Sequence, residues 1–228
     1  MGGDTRLVLF DCDGTLVDSQ HVIVAAMSAA FEAHDLVPPP SREIRRVVGL
    51  SLPQAMAMLL PAADQAEYDR LTERYKEAFV AQRAAGGGSP PLYPGAEDAI
   101  KRQAARGHVL GVATGKSRRG LAMTLEIFVL DEYFATLQTA DDAPSKPHPA
   151  MVEQAIVETG ASPETTVVIG DTTFDIEMAR AAGAAAIGVE WGYHETADLL
   201  AAGAATVIAT FEDLDAAVAE AFGEEACA

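Results

Sequence analysis

Two carboxylates, Asp11 and Asp13, follow the apolar run Leu7-Val8-Leu9-Phe10 in the segment Phe10-Asp11-Cys12-Asp13-Gly14-Thr15. At i and i+2 on an extended chain they point the same way, and ligands of parallel α/β sheets bind beyond the carboxyl ends of the strands. Like charges at the mouth of a buried strand repel unless something binds there. A bound cation or ligand therefore accounts for the pair better than an acidic turn bent at Gly14. Three more polar signals occupy comparable places: Thr114-Gly115-Lys116, Lys146 before Pro147, and Gly170-Asp171 with Asp175. Each alone has a plainer explanation. Thr114 suits a helix cap, Lys116 a solvated first turn, Lys146 a surface position, and Thr172-Thr173-Phe174-Asp175 the spacing of a capping box. Of only four lysines in the chain, however, two lie beside these signals.

An acidic cluster with one or two cations and a hydroxyl is what Mg²⁺-assisted phosphoryl transfer requires. Hard oxygen ligands suit Mg²⁺. A carboxylate nucleophile and an anionic phosphate repel each other, so a divalent ion and a lysine remove the barrier to their approach. Backbone amides at the turn of Gly14 and Thr15, and at the helix start of Gly115 and Lys116, are candidates to bind phosphoryl oxygens.

The elements that must position these residues read as an α/β chain. From about residue 92, short aliphatic runs alternate with amphipathic Ala-rich segments, the pattern of a parallel sheet covered by helices. Strands are predicted at 7–10, 109–113, 136–139, 167–169, 186–189 and 206–208. Gly107, Gly160 and Gly183 read as helix stops. Residues from about 19 to 85 differ: 22–33, 42–48, 52–60 and 66–84 have helical spacing with no convincing strand. Gly86-Gly87-Gly88-Ser89-Pro90-Pro91 reads as a linker, and Pro38-Pro39-Pro40 as a turn. The expected architecture is a Rossmann-like parallel sheet with helices on both faces, formed by 1–18 and 92–228. A small all-helical domain, 19–91 with its Gly/Pro-rich return linker, is inserted after the first strand.

Composition narrows the partners. With 228 residues, 49% hydrophobic and 22% charged, the chain is a globular protein, not a disordered or fibrous one. Its formal net charge of -18 repels nucleic acid and anionic lipid. Cys12 and Cys227 supply neither a disulfide framework nor a zinc spacing. No export signal or membrane-spanning run is apparent, and the expected location is cytoplasmic. A small phosphorylated metabolite is the expected partner of a monomer or homodimer.

Taken in order, Asp11-Cys12-Asp13-Gly14-Thr15, Thr114, Lys146, and Gly170-Asp171 with Asp175 resemble the four motifs of the haloacid dehalogenase-like superfamily, in its subgroup with a helical cap after the first strand. The resemblance spans nearly the whole chain. It implies that Asp11 is the nucleophile forming an aspartyl-phosphate, and that Asp13 is acid and then base. It further implies that Thr114 binds the transferring phosphoryl group and Lys146 neutralises charge. Mg²⁺ would be held by the Asp11 carboxylate, the Asp13 carbonyl and Asp171, with Asp175 either a ligand or an orienting group. Asp13 favours phosphate chemistry over dehalogenation.

Val17-Asp18-Ser19, Tyr93-Pro94-Gly95, Gly170-Asp171-Thr172 and Asp175-Ile176-Glu177-Met178-Ala179 resemble phosphoglycolate phosphatases. Relatives sharing these stretches also include enzymes acting on other small esters or on pyrophosphate. Sugar-phosphate mutases usually carry a His and an Arg where this chain has Ile23 and Leu52, which favours hydrolysis. The cap candidates for substrate binding are Arg45, Arg46 and the turn 49–52, although an exposed basic helix face would look the same. Trp191 and Tyr193 read as packing residues. A phosphoryl-receiver signalling domain, the remaining alternative, would be about half this length, without the helical insert.

Overall fold

A computed structural model describes residues 5–82, 84 and 89–224. The linker residues Gly86–Gly88 and Cys227 lie outside the described residues. Six parallel strands form one sheet: β1 (Leu7–Phe10), β2 (Val109–Thr114), β3 (Phe134–Thr139), β4 (Thr166–Gly170), β5 (Ala185–Val189) and β6 (Thr206–Ile208). Their order is β3-β2-β1-β4-β5-β6. All six predicted strands are present, with β3 beginning at Phe134, two residues before the expected start.

The continuous apolar runs of these strands reflect burial on both faces. Val8, Phe10, Val112, Val167 and Ile169 face one way, packing with α5 (Ala96–Ala105), α6 (Arg118–Phe128) and α10 (Leu214–Ala221). Leu7, Leu9, Ala113 and Val168 face the other way, packing with α7 (Ala150–Thr159), α8 (Thr173–Ala181) and α9 (Thr196–Ala202). Gly107, Gly160 and Gly183 all adopt positive φ where helices return to strands, as expected of C-terminal stops.

Between β1 and β2 lie α1 (Gln20–Glu32), α2 (Ser41–Arg46), α3 (Leu52–Leu59) and α4 (Gln65–Gln82). They enclose a core of their own around Ile23, Met27, Phe31, Ile44, Met56, Leu71 and Tyr75. The two chain crossings into this unit run side by side, with the Asp18 amide donating to the Pro91 carbonyl at 2.9 Å and Val17 bridging Leu92. Among the described residues no helix is long and apolar enough to cross a membrane.

Candidate active site

Strand order creates the site. The chain leaves β1, builds β2 and β3 on one side, then crosses to place β4 on the other. Such a switch point opens a crevice at the carboxyl ends of the strands. Asp11 follows β1, Thr114 ends β2 and Asp171 follows β4, so residues up to 160 positions apart arrive on three adjacent strands. The Asp11 amide donates to the Ile169 carbonyl at 2.9 Å, continuing the β1–β4 ladder into the first motif.

Lys146, wholly buried, comes in from the loop before α7 and donates to Asp11 Oδ1 at 2.7 Å and to Asp175 Oδ1 at 2.6 Å. Burial alone would lower the pKa of its ammonium, but the two carboxylates outweigh it and raise it. Burial pushes the Asp11 carboxyl up to about 7 against the pull of Lys146, and Asp175 adds to the rise. Asp171 is raised well above the usual carboxylate range by burial and by Asp11 and Asp175. Oxygens of Asp11, Asp171 and Asp175 lie within 4.8 Å of one another.

Asp171 is clamped. Its Oδ1 accepts from the Thr15 hydroxyl at 2.9 Å and its Oδ2 from the Tyr193 amide at 2.9 Å. Gly14, at φ +93°, and Gly192 make this approach possible: a Cβ on Gly14 would stand 2.3 Å from Asp171 Oδ2, and one on Gly192 would stand 2.1 Å from Asp171 Cβ.

Asp175 forms the capping box that its spacing suggests and also pairs with Lys146. Its Oδ2 accepts from the Thr172 amide at 3.0 Å and hydroxyl at 2.7 Å, forming the capping box of α8, while Oδ1 holds Lys146. Its oxygens thereby tie the start of α8 to the lysine that faces Asp11.

Asp13 is gripped by a different set. Lys116 Nζ reaches both its oxygens, at 2.6 and 2.7 Å, and the Ser19 hydroxyl donates to Oδ1 at 2.6 Å. The Lys116 side chain, expected to await phosphate, is thus paired with the second acid, and its backbone amide donates to Thr114 Oγ1 at 3.2 Å. Gly115 lies against the Gly49 and Leu50 carbonyls of the helical unit, where an added Cβ would come within 2.6 Å. That unit is seated on the core: the Ser51 amide donates to Ser145 Oγ at 2.8 Å, and Phe174 packs against Val47, Leu50 and Ala55. His194 Nδ1 accepts from the Thr173 amide at 3.1 Å, so its Nε2 carries the proton and donates to the Arg46 carbonyl at 3.2 Å.

Arg45 and Arg46 are not brought to hydrogen bonds with the acidic cluster. With Arg42 they line an open groove of about 750 Å³ between the helical unit and the loop 192–195, and Arg45 contacts Gln20 Oε1 at 3.4 Å. Their placement follows from α2, whose buried side, at Ile44, is turned into the unit's core. Ser19 and Tyr193 are the functional candidates the sequence reading missed. Tyr193 follows β5 and could have been found by extending the strand-end argument one strand further. Ser19 enters the sequence reading only within the resembling stretch Val17-Asp18-Ser19, with no role of its own. Cys12 is buried, and burial pushes its thiol up, away from nucleophile chemistry.

The ordered carboxylates, the buried lysine and the seated helical unit can be set beside known proteins. The family model described as haloacid dehalogenase-like hydrolase matches residues 8–189. The chain belongs to this family. It is 35% identical over 209 residues to a Dickeya dadantii protein named "Probable phosphatase IndB", covering 91% of each chain. It is 29% identical over 192 residues to a phosphoglycolate phosphatase of Mesorhizobium japonicum, covering 82% of this chain and 83% of that one. The solved structure of a hydrolase from Pseudomonas syringae superimposes with a TM-score of 0.84 at 26% identity, over 95% of this chain and 99% of that chain. In this family's terms the unit of α1–α4 is the cap.

Proposed function

We propose that this chain is a Mg²⁺-dependent phosphatase that hydrolyses a small phosphate monoester, phosphoglycolate-like in size and charge, through an aspartyl-phosphate on Asp11. One observation carries the reading. Asp11 is buried beside Lys146 with its Oδ1 paired, while Oδ2 finds no hydrogen-bond partner among the described residues. A buried unsatisfied oxygen costs about 1–3 kcal/mol, and this one sits among carboxylates pushed toward protonation by burial and, after it, by mutual repulsion. Such a donor set fits a hard divalent cation. Asp11 Oδ2, Asp171 and the Asp13 carbonyl would hold Mg²⁺, which would neutralise charge on the phosphoryl group.

The remaining chemistry belongs to the chain's own residues. Asp11 Oδ1 attacks phosphorus, forming the acyl phosphate as the P–O bond to the alcohol breaks. Asp13 delivers its proton to the departing oxygen, then accepts one from the water that attacks the phosphoenzyme, releasing phosphate and regenerating Asp11. Lys146 offsets the charge gathered at Asp11, and Thr114 and the turn amides of Gly14 and Thr15 steady the phosphoryl oxygens. Ile23 is buried in the cap core, so the helix after the first motif presents no cation there for a second phosphate, which supports hydrolysis over mutase chemistry.

The test is phosphate release from phosphoglycolate, sugar phosphates, nucleotides and pyrophosphate. Turnover of a small monoester with Mg²⁺, lost in EDTA and in Asp11→Asn, is expected. Undiminished turnover by Asp11→Asn, or full activity without metal, refutes the mechanism. Pyrophosphate as the preferred substrate refutes the monoester assignment.

A further inference from the structure

We propose that Tyr193 is a positioning residue that aligns Asp13 through the Ser19 hydroxyl when the cap is seated on the core. The proposal rests on the reading of Asp13 as acid and base.

Ser19 occupies the N-cap position of α1, yet its side chain makes no capping bond. Its hydroxyl is diverted instead to Asp13 Oδ1, at 2.6 Å. A serine hydroxyl has one proton to give, so the 3.3 Å contact between Ser19 Oγ and the Tyr193 phenol runs with Tyr193 as donor. The resulting relay is Tyr193 to Ser19 to Asp13. Hydrogen bonds of this kind are commonly long in ligand-free sites and tighten in the reacting complex.

Both ends of the relay are anchored. The Tyr193 amide is held by Asp171 Oδ2, on the core side. Its ring packs against the cap cluster that contains Ile23, Met27 and Tyr75. The ring passes so close to the first motif that a Cβ on Gly14 would stand 2.4 Å from it. Ser19 itself lies at the crossing into the cap, next to Asp18 and its bond to Pro91. Lifting the cap removes the surface that seats the ring and shifts the serine that orients Asp13. Tyr193 thereby ties the proton donor's alignment to cap closure, a role different from packing alone.

The experiment compares kcat/KM for benzyl phosphate, whose alcohol needs a proton to leave, with that for p-nitrophenyl phosphate, whose phenolate leaves without one. Full-length protein with Mg²⁺ is used. A general acid contributes about 10²–10⁴-fold, and partial misalignment is expected to cost about tenfold. Tyr193→Phe should therefore lose about tenfold on benzyl phosphate and less than about twofold on p-nitrophenyl phosphate. Ser19→Ala should show the same selectivity, and adding Tyr193→Phe to it should cause no further loss. Equal losses on the two esters, or multiplying losses in the double variant, overturn the proposal. Asp13→Asn serves as the reference. If it slows both esters alike, the acid role of Asp13 fails, whatever Tyr193→Phe does. No turnover of either ester by the parent protein overturns the phosphatase reading beneath it.

Discussion

Replacing Lys146 with Met tests the electrostatics of the site independently of turnover. Lys146 is the wholly buried ammonium shared by Asp11 and Asp175. Met keeps most of the volume and removes the charge, leaving Asp11, Asp171 and Asp175 within 4.8 Å of one another without that counter-ion. Removing one partner of a buried pair costs about 3–5 kcal/mol, and that loss is expected at pH 8 with EDTA present.

The loss should shrink at lower pH, because Asp11 of the parent protein then takes up a proton and gives up the ion pair that the variant lacks. In the parent protein Asp11 titrates at about 7, well above its ordinary 3.8. In the variant, without the lysine, it titrates higher still and stays protonated through pH 8. Between pH 6 and 8 the folded variant then holds on average about half a proton more than the folded parent. Native-state proton binding lowers stability as pH rises, by about 1.4 kcal/mol per proton per pH unit, so over two units the variant's deficit grows by about 1.4 kcal/mol. Urea unfolding at pH 6 and 8 measures both numbers, with unchanged m-values certifying the comparison. A deficit under about 1 kcal/mol at pH 8, or one that does not grow with pH, would refute the reasoning.

Other consequences follow from the same contacts. With EDTA, stability of the parent protein should fall as pH rises from 5 to 8, because folded Asp11 and Asp171 retain protons that the unfolded chain releases. Saturating Mg²⁺ should flatten that dependence, measurable by urea unfolding in parallel series, whereas an unchanged slope would count against a metal at these carboxylates. Gly192→Ala drives a methyl to 2.1 Å from Asp171 Cβ and is expected to weaken Mg²⁺ binding at least about tenfold, read by calorimetric titration; unaltered affinity would contradict the clamp. Lys116→Met removes the ion pair on Asp13 and should reduce kcat on alkyl phosphates by about tenfold, with a stability loss smaller than that of Lys146→Met because this pair is less completely buried, an ordering visible in parallel kinetic and melting measurements.

The local features of this chain were legible because each rests on neighbours in sequence. Apolar runs such as Leu7–Phe10 announce strands buried on both faces, glycines 107, 160 and 183 announce helix stops, and the Thr172–Asp175 spacing announces a capping box that the structure contains. Asp11, Thr114, Lys146 and Asp171 could be named in advance because strand ends of a parallel sheet share one edge, so position in the pattern implies convergence.

What the linear pattern could not reveal was which groups hold one another. The Lys116 ammonium was legible as a cation near phosphate, but its bond to Asp13 spans 103 residues. Tyr193 meets Ser19 across 174 residues, and nothing in Trp191-Gly192-Tyr193 distinguishes a relay from packing. Arg45 and Arg46 read as candidate phosphate ligands in one dimension, and only the fold, by turning Ile44 inward, shows that they line an open groove shared with Gly192 and Tyr193. Periodicity and motif spacing depend on the repeat of a single strand or helix, so they survive in one dimension. Partner choice among charged and hydroxyl groups depends on ångström-scale approach between elements, and that is settled only when sheet order and cap seating bring them together.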